Sequence, residues 1–220
     1  MICQRCDDTG YEPIFSEDRV EWPTMQLCKC DAGRRLRYWG VPSGMRDWTF
    51  ETFPASLGTV ISVNKHPIGV DGVRIAFTER DKWLILCGPV GTGKTSLAVS
   101  GYKLLRDRGV AGRFWNMAQL FDATKKSFGD PDRVDPMEKL YNAPAVLVLD
   151  GLGERNLTDW ERGAVNQLLG QRYAFRLRTI VTTNWQAGEF GRLLGDWIGD
   201  RLNEIAIVMN VAGASMRGRA

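Results

Sequence analysis

The chain has 220 residues, with 29 basic and 26 acidic side chains, a net charge of +3 and 44% hydrophobic residues. That length holds one medium domain with a small appendage, not two full domains, and a charge so close to balance excludes binding of nucleic acid by net charge alone. No apolar run approaches the ~18 residues of a membrane span, and the opening MICQRC lacks a basic-then-apolar leader, so a cytoplasmic protein with no membrane partner is expected.

In chain order, cysteines come first. Cys3, Cys6, Cys28 and Cys30 fall within the first 30 residues and mark residues 1–32 as a small module. Cys-x-x-Cys followed by Cys-x-Cys supplies four soft thiolates, the donor set of a closed, structural Zn²⁺ site. The bland alternative is four unrelated buried cysteines. The one histidine, His66, is not needed as a ligand, and Cys87 ends an apolar run and reads as core. Residues 33–57 read as a linker and lead-in segment with aromatic anchors. Residues 58–220 read as one α/β domain.

Within that domain, Trp83–Cys87 is expected to be a buried strand. Lys94–Arg108 follows as a helix with Leu97, Ala98, Leu104 and Leu105 on one face and Gly109 as its stop. Arg113–Asn116 reads as a short strand, Met117–Phe128 as a helix and Ala145–Asp150 as a fully apolar strand. Thr158–Phe175 reads as a long helix, with Thr158 as N-cap and Glu161 at the capping-box position. Arg178–Asn184 is a further strand. Strands alternating with helices imply a doubly wound parallel sheet.

Residues 88–96 carry the sharpest chemistry: Gly88, Pro89, Val90, Gly91, Thr92, Gly93, Lys94, Thr95 and Ser96. Between a strand and a helix, the glycines let successive N–H groups turn inward on phosphates. Lys94 can then reach the terminal phosphates, Thr95 can hold Mg²⁺, and the helix N-terminus adds favourable dipole charge. Asp150, at the end of an apolar strand, supplies a carboxylate for the same Mg²⁺. Asn184 closes the following strand, where an amide can orient an attacking water. ATP with Mg²⁺ is the expected ligand.

Taken together, WGVPSGMRDWTFETF, LILCGPVGTGKTSLA, VLVLDGLGE, QRYAFRLRTIVTTN and GDRLNEIAIVMNVAGASMRGR resemble the DnaC/IstB-like branch of the AAA+ ATPases, bacterial helicase loaders in particular. The cysteine cluster resembles the zinc motif that precedes this domain in some loaders. The resemblance implies an AAA+ P-loop NTPase fold and ATP hydrolysis. It places Arg201 as the arginine finger that reaches the neighbouring subunit's γ-phosphate, an interaction worth ~10³–10⁵ in rate. It places Arg217 as the second sensor arginine beside the nucleotide. A surface ion pair for Arg201 and a frayed tail for Arg217 are the alternatives. Phe50 and Phe53 either flank the adenine or pack on the core. One departure stands out: the acid that usually follows the Mg²⁺ aspartate is Gly151, so either hydrolysis is slow or the next acid, Glu154, a candidate catalytic residue, swings in.

The resemblance also implies partners: a replicative DNA helicase, single-stranded DNA, and further copies of the chain assembled on ATP or DNA. Loaders of this kind usually open with a helical domain that grips the helicase. Here the cysteine module stands first, and either takes over that contact or meets a different partner. Lys29, Arg34, Arg35 and Arg37 beside Tyr38 and Trp39, and Lys125 and Lys126 beside Phe128, combine charge with aromatic faces as single-strand binders do; solvated surface is the alternative for both. An IstB-type transposition helper acting on duplex DNA with a transposase, and a nucleotide-gated scaffold with little turnover, are the rival functions.

Overall fold

The computed structural model describes residues 11–14, 24–28, 40–53, 60–79, 82–130, 132, 135–142 and 145–215. Two short strands, β1 (Tyr11–Ile14) and β2 (Thr24–Leu27), form an antiparallel hairpin with Tyr11 opposite Leu27. Cys28 follows β2 at the end where β1 begins, and is buried.

The remaining elements run β3 (Val60–Val63), β4 (His66–Pro67), α1 (Gly69–Ala76), β5 (Trp83–Cys87), α2 (Lys94–Asp107), β6 (Gly112–Asn116), α3 (Met117–Lys125), β7 (Val146–Leu152), α4 (Asp159–Ala174), β8 (Arg178–Thr183), α5 (Phe190–Leu194), α6 (Asp196–Ile205) and β9 (Ala206–Ala212). Their strands form one seven-stranded sheet in the order β4-β3-β9-β5-β8-β7-β6. The five from β9 to β6 are parallel, while β3 pairs antiparallel with both β9 and β4.

The period of two along each strand divides the core. Leu84 and Leu86 of β5, with Val146 and Val148 of β7, face Val73, Phe77, Leu97 and Tyr102. Ile85, Leu147 and Leu149 face the other way, onto Leu120, Val165 and Leu168. A sheet covered on both faces needs continuous apolar strands, and β5 and the first part of β7 have that character. The lead-in segment joins the first layer: Val41, Phe50 and Phe53 are buried there, and Phe50 meets Phe77 edge-on at 5.9 Å. Lys103 ties this segment down by donating to the carbonyls of Arg46 (2.5 Å) and Trp48 (2.9 Å). Phe50 and Phe53 therefore have the packing role.

Two buried charges fasten the second layer. The Arg172 guanidinium donates to Thr179 Oγ1 and to the carbonyls of Leu140 and Arg178 at 2.8–2.9 Å. Burial draws its pKa down to about 9. Glu161 closes the expected capping box with Thr158 and also accepts from Arg155 at 2.6 and 2.8 Å and from Lys125 at 3.0 Å.

The Arg155 hydrogen bonds, reinforced by the Thr158 N–H and Lys125 against the opposing effect of burial, lower the Glu161 pKa from 4.5 to about 2. A carboxylate whose folded pKa is depressed contributes stability above its unfolded pKa and loses it as pH falls through the folded value. Stability should therefore decline between about pH 4.5 and 2. Glu161→Gln should flatten that acid limb and lower the neutral-pH melting temperature by roughly 2–10 °C. Thermal denaturation as a function of pH reads both.

Candidate nucleotide and metal site

The loop after β5 emerges where β5's neighbours, β8 and β9, both come from much later in the chain. Such a change in strand order opens a crevice at the carboxyl ends of parallel strands. Gly88 and Gly91 have φ of 143° and 82°. A Cβ on Gly88 would lie 2.0 Å from the Val211 carbonyl oxygen, and one on Gly91 would lie 2.2 Å from Ser215 Oγ. Only glycine lets β9 and the turn after it approach the loop this closely. Lys94 curls inward, its Nζ donating to the carbonyls of Gly88 (2.8 Å) and Pro89 (2.7 Å). Thr92 Oγ1 also donates to Pro89, so the loop is braced from inside.

Asp150 lies across the crevice, only 7% exposed. Its Oδ1 accepts from Thr95 Oγ1 at 2.8 Å and from Thr182 Oγ1 at 2.7 Å. Burial raises its pKa; the two hydroxyls, the Lys94 charge and Asn116 work against that rise. Thr95 and Asp150 thus present oxygen donors at hydrogen-bond distance beside a phosphate loop, and this hard donor set fits Mg²⁺. The adjoining cavity is about 520 Å³ and is lined by Gly91, Lys94, Thr95, Gly151, Glu154 and Asn184 among others. That volume lies in the range of cofactor sites.

The cavity also has a wall that sequence reasoning did not identify: Asp47, Trp48 and Thr52 of the lead-in. They are interleaved with the buried Phe50 and Phe53 in a stretch of turns, so no strand or helix period in DWTFETF singles them out.

Gly151 sits at an irregularity in β7, where the register with β8 shifts between Leu149 and Leu152. Its φ is 79°, a left-handed conformation that side chains disfavour. Its N–H donates to Thr182 Oγ1 at 2.9 Å.

Other expected residues lie elsewhere. Arg201 does not line this cavity. Its guanidinium stacks 3.9 Å from the Trp197 ring centroid and 5.0 Å from that of Tyr173. Lys125 is engaged with Glu161 and lies 5.1 Å from the Trp160 ring centroid, while Phe128 is exposed and meets Trp160 edge-on. Cys87 is a core thiol that donates weakly to Met209 O and Asn210 Oδ1, and burial pushes its pKa up to about 11. Cys3, Cys6, Cys30 and Arg217 lie outside the described residues, as do Lys29, Arg34, Arg35, Arg37, Tyr38 and Trp39. Among the described residues no group of three or more His, Cys, Asp or Glu side chains could hold a metal ion.

Comparison with known proteins agrees with this architecture. The family of IstB-like ATP binding proteins matches residues 70–220. The chain is 32% identical over 149 residues to an ATP-binding protein of insertion sequence IS21 from Pseudomonas aeruginosa, covering 65% of this chain and 55% of that protein. It is 28% identical over 161 residues to its counterpart in insertion sequence IS232 of Bacillus thuringiensis subsp. berliner, covering 71% and 63%. The chain thus spans little more than half the length of these relatives. Among solved structures the DnaC helicase loader superposes with a TM-score of 0.63 at 22% identity, covering 78% of this chain and all of that one. The expected α/β sheet of an AAA+ P-loop NTPase is the fold observed.

Lys94→Ala should weaken ATP binding by roughly 10²-fold or more, because a charge-assisted contact to phosphate is lost; titration with a fluorescent ATP analogue measures this. Gly151→Ala should destabilise the protein by about 1–3 kcal/mol, the cost of a side chain in that conformation, as read from denaturant unfolding.

Proposed function

Starting from the fact that the chain belongs to the IstB-like ATP-binding family, we propose that it is an ATPase that loads a replicative DNA helicase onto single-stranded DNA. The observation that carries the ATPase reading is the convergence of Lys94, Thr95 and Asn184 on one cavity at the tip of β5, with Asp150 accepting a hydrogen bond from Thr95. Lys94 and the loop N–H groups bind the terminal phosphates. Thr95 and Asp150 hold Mg²⁺, which when bound offsets charge on the phosphate oxygens. Asn184, carried just beyond β8, orients the attacking water.

Arg201 acts on the nucleotide of a neighbouring copy. Its position away from its own cavity, on a helix whose Trp197 is half exposed, supports a role between subunits. Hydrolysis then requires assembly. Arg217 acts as the second sensor. The approach of Ser215, two residues earlier, to Gly91 of the phosphate loop supports this reading. Cys3, Cys6, Cys28 and Cys30 hold one structural Zn²⁺ per chain; the burial of Cys28 beside a short hairpin suits a small module fastened by metal. We place the protein in the cytoplasm; among the described residues no helix is long and apolar enough to cross a membrane.

A second reading, a transposition helper acting on duplex DNA with a transposase, is favoured by the identity to the insertion-sequence proteins. ATP turnover measured with single-stranded and with duplex DNA separates the two. A loader should be stimulated by the single strand, and stimulation by duplex alone would favour the helper. Arg201→Ala should bind ATP normally yet lose most turnover, and mixing it with Lys94→Ala chains should restore part of it. Metal analysis of reduced protein should find about one zinc per chain, and Cys28→Ser should lower that content.

A further inference from the structure

The position that lacks an acid after Asp150 is not simply empty. A Cβ on Gly151 would lie 2.9 Å from Glu154 Cδ and 3.1 and 3.2 Å from its two carboxylate oxygens. The Glu154 carboxylate therefore stands over the Gly151 backbone, on the wall of the cavity that Thr95 and Asn184 also line. The chain is folded back to bring it there. Gly151 and Gly153 both have left-handed φ, 79° and 73°, and the Glu154 N–H donates to the Gly151 carbonyl at 3.3 Å. Glycine at 151 and the acid at 154 form a set, because a side chain at 151 would displace the carboxylate.

A second contact fixes this turn. The Trp185 indole lies so close to Gly153 that a Cβ there would come within 2.2 Å of its Cε2 and Nε1 atoms. Trp185 directly follows Asn184, its N–H donates to Thr183 Oγ1 at 3.0 Å, and its ring packs on Phe190 at 5.5 Å. The turn that carries Glu154 and the strand end that carries Asn184 are thus clasped by one aromatic ring.

We infer that Glu154 is the general base of ATP hydrolysis, supplied from three residues beyond Gly151, and that Trp185 is the positioning residue that holds it in step with Asn184. The inference rests on the hydrolysis reading above. In the step, the water oxygen forms a bond to the γ-phosphorus while the bond from that phosphorus to the β–γ bridging oxygen breaks. The electron pair of the broken bond leaves with ADP, and the water proton passes to the Glu154 carboxylate and then to solvent. A base must lie within hydrogen-bond reach of the water, and an acid on the cavity wall beside Asn184 meets that need.

The test compares full-length wild type with Glu154→Gln, Glu154→Asp, Trp185→Ala and Lys94→Ala, each checked for melting temperature. Affinity for a fluorescent ATP analogue and single-turnover hydrolysis with DNA present are measured for each. Glu154→Gln should keep nucleotide affinity within about threefold and lose ~10²–10⁴ in hydrolysis rate. Glu154→Asp, a shorter acid, should fall between the two. Trp185→Ala should lower kcat with little change in KM. Hydrolysis by Glu154→Gln within threefold of wild type overturns the inference and leaves the ATPase reading standing. Wild-type turnover no higher than that of Lys94→Ala overturns the ATPase reading and the inference with it.

Discussion

A carboxylate withdrawn from water at the carboxyl edge of a sheet has to be compensated, and much of the site follows from how Asp150 is compensated. Isolated burial of a charge is costly. Two hydroxyls, one from the first turn of α2 and one from β8, converge on the same oxygen. Those donors meet only if β5, β7 and β8 end in step, and the parallel register supplies that: Leu86 pairs with Thr182, and Leu149 with Val181. The Lys94 charge lies near enough to favour the ionised form. Phosphate loop and metal donors are thus one electrostatic unit.

The loop between β7 and α4 shows how a fold can replace a missing side chain by backbone geometry. Left-handed glycines reverse the chain within a few residues, and that reversal carries an acid back over the position where the side chain is absent. The same stretch ends in Arg155, which is spent on Glu161. One short segment therefore faces the nucleotide cavity with one charge and fastens the second core layer with the next.

Much of this could be read from the residues. The apolar runs of β5 and of the first part of β7 are strands because both faces are covered, and their sequences show it directly. Residues 88–96, Asp150 and Asn184 are local motifs at strand ends, so their place follows once the strands are known. The Thr158–Glu161 capping box was likewise visible. What was not visible depended on tertiary contacts. Ala206–Ala212 leaves α6 with no glycine or proline between helix and strand, so nothing in the sequence punctuates β9. The roles of Asp47, Trp48 and Thr52 depend on which lead-in aromatics turn inward. The sequence showed that an acid was missing at Gly151, but the left-handed backbone and the Glu154 carboxylate over it are properties of the folded loop.

The position of β9 has a consequence for how the molecule comes to exist. This strand lies between β3 and β5, yet the ribosome makes it after every other strand described. Until it emerges, the flank of β5 that it will cover, beside Leu84, Ile85 and Leu86, has no pairing partner. Pairings that join distant parts of a chain form slowly, because loop closure precedes any gain from contact. An exposed apolar edge in the meantime is a natural client for chaperones. The phosphate loop rests on this late strand through the Gly88 approach to Val211. Competence for nucleotide therefore arises late in biogenesis, with the closing of the sheet, and a nascent chain that has not yet closed it has no finished cradle with which to engage ATP.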